Sequence, residues 1–188
     1  MKELLKKIPF TTYIVRSIRK FRGITPDDLK IEYYAKKRDA DIQNYLKSEG
    51  NKYLQIGCQN HPMKGWLNAD INPMHDEVIL MDATKPFPLP DNTFDTVFSE
   101  HMIEHIGFPE GQFMVNECYR IMKPGAVIRL STPDIKFLIE LYREPKTEIQ
   151  QQYIDFSKRY FGDNRPMIDT IVINNFFRDW GHQFIHDF

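Results

Sequence analysis

Between Lys52 and Ser131 the chain holds five short apolar runs, and each closes on or beside a glycine, an acid or a hydroxyl residue. They are Lys52–Gly57, Trp66–Ile71, Glu77–Asp82, Phe94–Ser99 and Ala126–Ser131. All are short for helices, and their Tyr, Val, Ile and Phe content favours pleated backbone. The turn Pro90-Asp91-Asn92 announces the fourth run, and Lys123-Pro124-Gly125 precedes the fifth. Strands that alternate with helices or long connections belong in a parallel sheet covered on both faces. The expected fold class is therefore α/β, a doubly wound parallel sheet with helices on both faces.

The text around the runs is helical. Leu4, Leu5 and Ile8 make one short apolar stripe, and Ile14, Ile18 and Phe21 make another. Thr25-Pro26-Asp27-Asp28 reads as a helix start, followed by a further helix from Ile31 to Leu46 that stops at Gly50. Later helices are expected over Glu110–Met122, ending at Lys123-Pro124-Gly125, over Asp134–Tyr142 and over Thr147–Tyr160. The 188 residues suit one globular unit, read as residues 51–188, with residues 1–50 as a basic N-terminal helical extension. The total charge of -1 disfavours a general nucleic-acid binder, but it hides an asymmetry. Residues 1–22 carry seven basic residues against Glu3, a net of +6, so the remaining 166 carry -7. Peripheral contact with an anionic membrane is one reading of that stretch, and a solvated helix laid over the sheet is the other. Cys58 and Cys118 cannot build a disulfide framework, no apolar run is long enough for a membrane span, and no cleavage-site pattern follows the basic start. A cytoplasmic setting follows.

The chemistry-bearing residues gather at the ends of the expected strands. In open parallel sheets ligands bind beyond the carboxyl ends, where strand order reverses. Gly57 ends the first strand and would let a ligand approach the backbone. Asp70, thirteen residues later at the end of the second strand, is placed to accept hydrogen bonds from ribose hydroxyls. A pyrophosphate-bearing dinucleotide needs three glycines opening a helix, whereas Gly57-Cys58-Gln59-Asn60-His61-Pro62 offers one. An adenosine cofactor without phosphates needs less.

Six blocks together resemble the class I S-adenosylmethionine-dependent methyltransferases, nearest to the small bacterial type 11 group. They are Leu54-Gln-Ile-Gly-Cys58, Gly65-Trp-Leu-Asn-Ala-Asp-Ile71, Asp82-Ala-Thr, Phe87-Pro-Leu-Pro-Asp-Asn-Thr-Phe-Asp95, Ser99-Glu-His-Met-Ile-Glu-His105 and Arg120-Ile-Met-Lys-Pro-Gly125. The resemblance implies a Rossmann-like sheet of five strands in the order 3-2-1-4-5 and S-adenosylmethionine as cofactor. It implies that Ile56, Gly57, Cys58 and Gln59 line the loop beside the methionine moiety. Asp70 would hold the ribose diol and Ile71 would pack on adenine. Asp82 would accept from the adenine amine beside the Ala83 amide, and Ser99, Glu100 and His101 would floor the pocket near the methyl group. Two residues depart from the family pattern: Gln59 stands where a second glycine is usual, and Gln55 where an acid is common. Family members also continue into an antiparallel strand pair. Asp179–Phe188 reads as the lead-in to the helix before that pair, so the fifth strand is expected to keep an exposed edge that invites pairing with a second copy.

Methyl transfer needs aligned partners and a base only when the acceptor must lose a proton. His101 and His105 are the candidates for that base, with Glu104-His105 bracing the next helix as the plainer alternative. His182 and His186 are four residues apart, but two histidines without a placed third ligand do not make a metal site, so none is expected. Phe176, Phe177, Trp180 and Phe184 suit a core or interface, or the wall of an acceptor pocket. The function expected is methyl transfer to a small-molecule or glycan-like acceptor. The alternative is a catalytically silent relative acting as a binding or scaffold protein.

Overall fold

The computed structural model describes residues 26–161 and 168–187. The +6 stretch at residues 1–22 and the membrane contact read into it lie outside the described residues. The described chain runs α1 (Pro26–Lys47), β1 (Tyr53–Ile56), β2 (Leu67–Asp70), β3 (Val78–Leu80), β4 (Phe94–Glu100), a 3-10 turn (Ile103–His105) and α2 (Phe108–Ile121). It continues through β5 (Met122–Ser131), α3 (Ile135–Glu140), α4 (Glu148–Phe161) and α5 (Asp169–Arg178). The five strands form one parallel sheet in the order β3-β2-β1-β4-β5, with helices around it. No described helix is long and apolar enough to cross a membrane.

Two boundaries differ from the sequence reading, each for a local reason. The helix start at Pro26 and the helix from Ile31 are one element, because no glycine or proline interrupts residues 27–47. Lys123-Pro124-Gly125 does not close a loop after α2. The helix hands over directly to β5, where Phe94 pairs with Met122 and Thr96 next pairs with Val127. The extra residues form a bulge that accommodates Pro124, which has no N–H to pair, and Gly125 at φ +83°. A helix that the sequence reading did not include, α5, ends at Arg178, and beyond it His186 makes an isolated bridge to Asp134.

Among the parallel crossovers, only β4→β5 carries helical structure. The β1→β2, β2→β3 and β3→β4 connections are loops, interrupted by Pro62, Gly65, Pro73, Pro86, Pro88 and Pro90. Side chains replace the missing helices. From β1, Gln55 accepts from Met63 N at 3.0 Å and donates to His61 O at 3.2 Å. From β2, Asn68 accepts from Met63 N at 2.8 Å and donates to the carbonyls of Met63 and Trp66 at 3.1 and 3.2 Å. Trp66 also packs on Tyr53, with ring centroids 5.0 Å apart. The β3→β4 loop is held from α2. Arg120 donates to Phe87 O, Leu89 O and Asp91 Oδ1 at 3.1, 2.9 and 2.6 Å, and Glu117 accepts from Phe87 N at 2.7 Å and from Arg120.

Leu54, Ile56, Leu67, Ala69, Ile79 and Val97 share one face of the sheet and form the main core with Met114, Cys118 and Ile121 of α2, Phe87, Leu89 and Phe94. Ile42 of α1 joins the same cluster. On the other face, Val127 and Arg129 of β5 are exposed. A separate small core gathers Leu138, Leu141, Ile154, Val172 and Ile185.

The Arg120 guanidinium, hydrogen-bonded to Glu117, holds the Glu117 carboxyl below its ordinary range, and burial opposes that only in part. A depressed carboxyl stabilises the fold above the unfolded-state pKa and loses that contribution as pH falls through the folded value. Glu117→Gln is therefore expected to lower stability by ~1–3 kcal/mol near neutral pH in urea unfolding. The difference from the parent chain should shrink below about pH 4.

Candidate functional site

The loops that follow β1 to β4 converge at the carboxyl end of the sheet. Gly57 has φ +72°, and its N–H donates to Ala69 O at 2.9 Å. A Cβ at this position would fall 2.8 Å from Met102 Cβ, so glycine is required both by conformation and by space. Cys58 is turned into the core at 2% exposure. Burial, helped by the nearby Asp70 charge, pushes its thiol up to about 12. Gln59 sits at φ +44°, in the left-handed region where glycine is easiest. The loop thus keeps a glycine-like path with a side chain added, and the Gln59 N–H donates to Asp70 Oδ2 at 2.9 Å.

Asp70 is nearly buried, and its other oxygen accepts from Asn72 N at 2.8 Å. A carboxylate has about four acceptor sites, so two amides orient it without saturating it. Asp82 is fixed in a similar way, because its Oδ1 accepts from Thr84 N at 2.9 Å and from Thr84 Oγ1 at 2.7 Å. Ile71 is 64% exposed beside these acids, an apolar side chain with an open face. His101, at φ +48°, leaves β4 through a bond from its N–H to Ser131 O. Its Nδ1 lies 3.1 Å from Oε1 of Glu104, a residue with no exposed surface.

These groups surround a cavity of about 250 Å³. Of the residues expected there, Ile56, Gly57, Gln59, Asp70, Ile71, Asp82, Ala83, His101 and His105 line it. Cys58, Ser99 and Glu100 do not line it. Cys58 faces the core, and Ser99 is buried with no partner for its Oγ among the described residues. Glu100, exposed at the strand end, follows the alternation of β4 to the opposite face from Ser99. Met81, Thr84, Met102 and Ile106 line the cavity and were not anticipated, since nothing in their spacing distinguishes them from core residues. The two C-terminal histidines do not share a face: the His182 ring stands 4.8 Å from that of His105, and His186 packs on Phe184. Phe176 belongs to the small core, and Trp180 packs between Phe176 and His182. A larger cavity of about 470 Å³ lies between α2 and the C-terminal segment, lined by residues such as Phe108, Val115 and His186. No carboxylate lines it.

Residues 42–130 match the family model described as "Methyltransferase domain". This segment, just under half of the chain, is similar to a methyltransferase domain. Within it lie β1 to β4, nearly all of β5 and the whole cavity lining. A protein of Mycolicibacterium smegmatis named "Probable S-adenosylmethionine-dependent methyltransferase" is 45% identical over 47 residues, 25% of this chain and 18% of that protein. The chain thus spans less than a fifth of that relative's length. Among solved structures, a SAM-dependent methyltransferase from Archaeoglobus fulgidus is similar at 19% identity and a TM-score of 0.39, covering 93% of this chain and 96% of its own. The trans-methyltransferase CalH in complex with SAH is similar at 14% identity and a TM-score of 0.35, covering 60% of this chain and 43% of its own. Overlaps this loose say nothing about function.

Gly57 and the two cysteines each lead to an expected outcome. Gly57→Ala should cost ~1–3 kcal/mol in chemical denaturation, because the left-handed backbone and Met102 both resist a methyl group. Cys58 and Cys118, both buried with thiols pushed up to about 12, should ignore Ellman's reagent at pH 8 and react only once the chain is unfolded.

Proposed function

We propose that this chain transfers a methyl group from S-adenosylmethionine to a small-molecule or glycan-like acceptor, in the cytoplasm. The observation that carries the reading is the convergence of Gly57, Asp70, Ile71, Asp82 and His101 from four strand ends on one cavity inside the methyltransferase domain. The donor set fits this cofactor. Asp70 keeps acceptor capacity for a ribose diol, Ile71 and Ala83 offer apolar contact to a base, and Asp82 Oδ2 is left for an exocyclic amine. Neither a lysine nor an arginine lines the cavity, which suits a cofactor without phosphates. The bound sulfonium would supply an electrophilic methyl group, and the chain's own task is to align the acceptor and handle its proton.

His101 is the proposed acceptor of that proton. A carboxylate oxygen at its Nδ1 holds the proton there and leaves Nε2 as the basic nitrogen, on a side chain that is 63% exposed. His105 lines the same cavity one turn further on.

Calorimetric titration of the full chain with S-adenosylmethionine and S-adenosylhomocysteine tests the cofactor. Both should bind, and Asp70→Ala should weaken binding ~10–100-fold, the loss of charge-assisted hydrogen bonds. No heat and no thermal shift from either ligand at millimolar concentration would remove the reading. Methyl-labelled cofactor, supplied with separate pools of metabolites, oligosaccharides, protein and RNA, tests the acceptor. Label confined to protein or RNA would overturn that half, and binding without any transfer would favour the silent alternative.

A further inference from the structure

We propose that Glu104, His105 and His182 form a binding site for a divalent transition-metal ion, with zinc as the expected occupant. Their ligand atoms all lie within 4.8 Å of one another. Glu104 and His105 are adjacent in the 3-10 turn after β4, whereas His182 comes from the segment after α5. The backbone fixes this meeting of distant residues. Gln183 N and Phe184 N donate to Glu104 O at 2.7 and 3.3 Å, and Gln183 Nε2 donates to His105 O at 2.8 Å.

Glu104 points to a cation most directly. The residue has no exposed surface; its Oε1 faces His101 Nδ1, and its Oε2 is buried with no partner among the described residues. An ionised carboxylate in that position has an oxygen with nothing to accept from. A neutral carboxyl does no better, because the hydroxyl it would place on Oε2 finds no acceptor. A metal ion satisfies the oxygen in the charged form, while Oε1 stays with His101.

His182 is prepared for the same role. Its Nδ1 lies 2.6 Å from Phe176 O, and a carbonyl can only accept, so Nδ1 carries the proton and Nε2 offers a lone pair. Metal-bound histidines are commonly oriented in this way, with the second ring nitrogen donating to a carbonyl or carboxylate. The His105 ring meets that of His182 edge to face, with centroids 4.8 Å apart at 79°. Ligand atoms bound to zinc at ~2.0–2.2 Å stand roughly 3.4 Å apart in a tetrahedral site. The present set therefore has to contract by at most about 1.4 Å, within the reach of small side-chain rotations.

Two histidines and one carboxylate leave a coordination position for water or a ligand oxygen, the arrangement of catalytic rather than structural zinc sites. His105 also lines the cofactor cavity, so the ion would border the place where an acceptor must lie. If the methyl-transfer reading holds, on which this last step rests, the acceptor class is one that presents a hydroxyl oxygen, whose proton a bound metal makes easier to lose.

The test reads coordination without cofactor or activity. The full chain, stripped with a chelator, is titrated with cobalt as a spectroscopic stand-in, and the cobalt is then displaced with zinc. One ion per chain, visible d–d absorption and displacement by zinc are expected. His182→Ala, at a side chain whose truncation leaves the buried carboxyl in place, should weaken binding at least ~100-fold, whereas His186→Ala should leave it within about twofold. Glu104→Gln should also lose the ion, with circular dichroism reporting whether that variant folds. Absence of d–d absorption at millimolar cobalt, or binding that survives His182→Ala, overturns the proposal. Either failure leaves the S-adenosylmethionine titration untouched, and failure of that titration leaves the metal result standing.

Discussion

The site depends on two buried side-chain amides. Parallel neighbours such as β1 and β2 are ordinarily joined by a helix, whose own backbone bonds make it rigid and whose apolar stripe packs it on the sheet. Here residues 57–66 form a largely exposed loop without a helix's internal bonds, so its path depends on side-chain anchors from the strands. Gln55 and Asn68 provide them, and both reach the single amide of Met63 from neighbouring strands. With that loop held, Gly57 and Gln59 stand over the end of β1, and Asp70 receives the Gln59 amide. Gln55, which replaces an acid common in related sequences, thus has a structural task in this chain.

Strain and polarity are concentrated at the same end of the molecule. Gln59 and His101 both take left-handed backbone without being glycine, and both line the cavity. Each conformation costs about 1–2 kcal/mol that the surrounding hydrogen bonds must offset. The Gln59 amide is held by Asp70, and the His101 amide by Ser131. The result is a set of polar groups oriented before any ligand arrives, which is the condition for binding without reorganisation. Below it lies the main apolar core, so the site rests on a packed platform.

The strands and most of the pocket were legible in the sequence because the signals are local. Short apolar runs ending on Gly57, Asp70 and beside Asp82 locate strand ends, and strand ends locate the site. Cys58, Ser99 and Glu100 stand outside the cavity lining because adjacency in a motif does not say which way a side chain points. Pleat alternation and a sharp loop send neighbours to opposite sides. The absence of helices between β1 and β4 was also hard to see, since the turn residues that exclude a helix look the same in a long connection that contains one.

By itself the sequence determined the α/β class and the five strands, because apolar period, glycine position and acid placement are properties of neighbouring residues. Only the tertiary structure decided the fate of the histidines. Spacing pairs His182 with His186, yet the folded chain sets His182 against His105 and Glu104, residues far away in sequence. That meeting arises from backbone bonds between residues 183–184 and the turn after β4, and such long-range contacts leave no periodic trace in the chain that makes them.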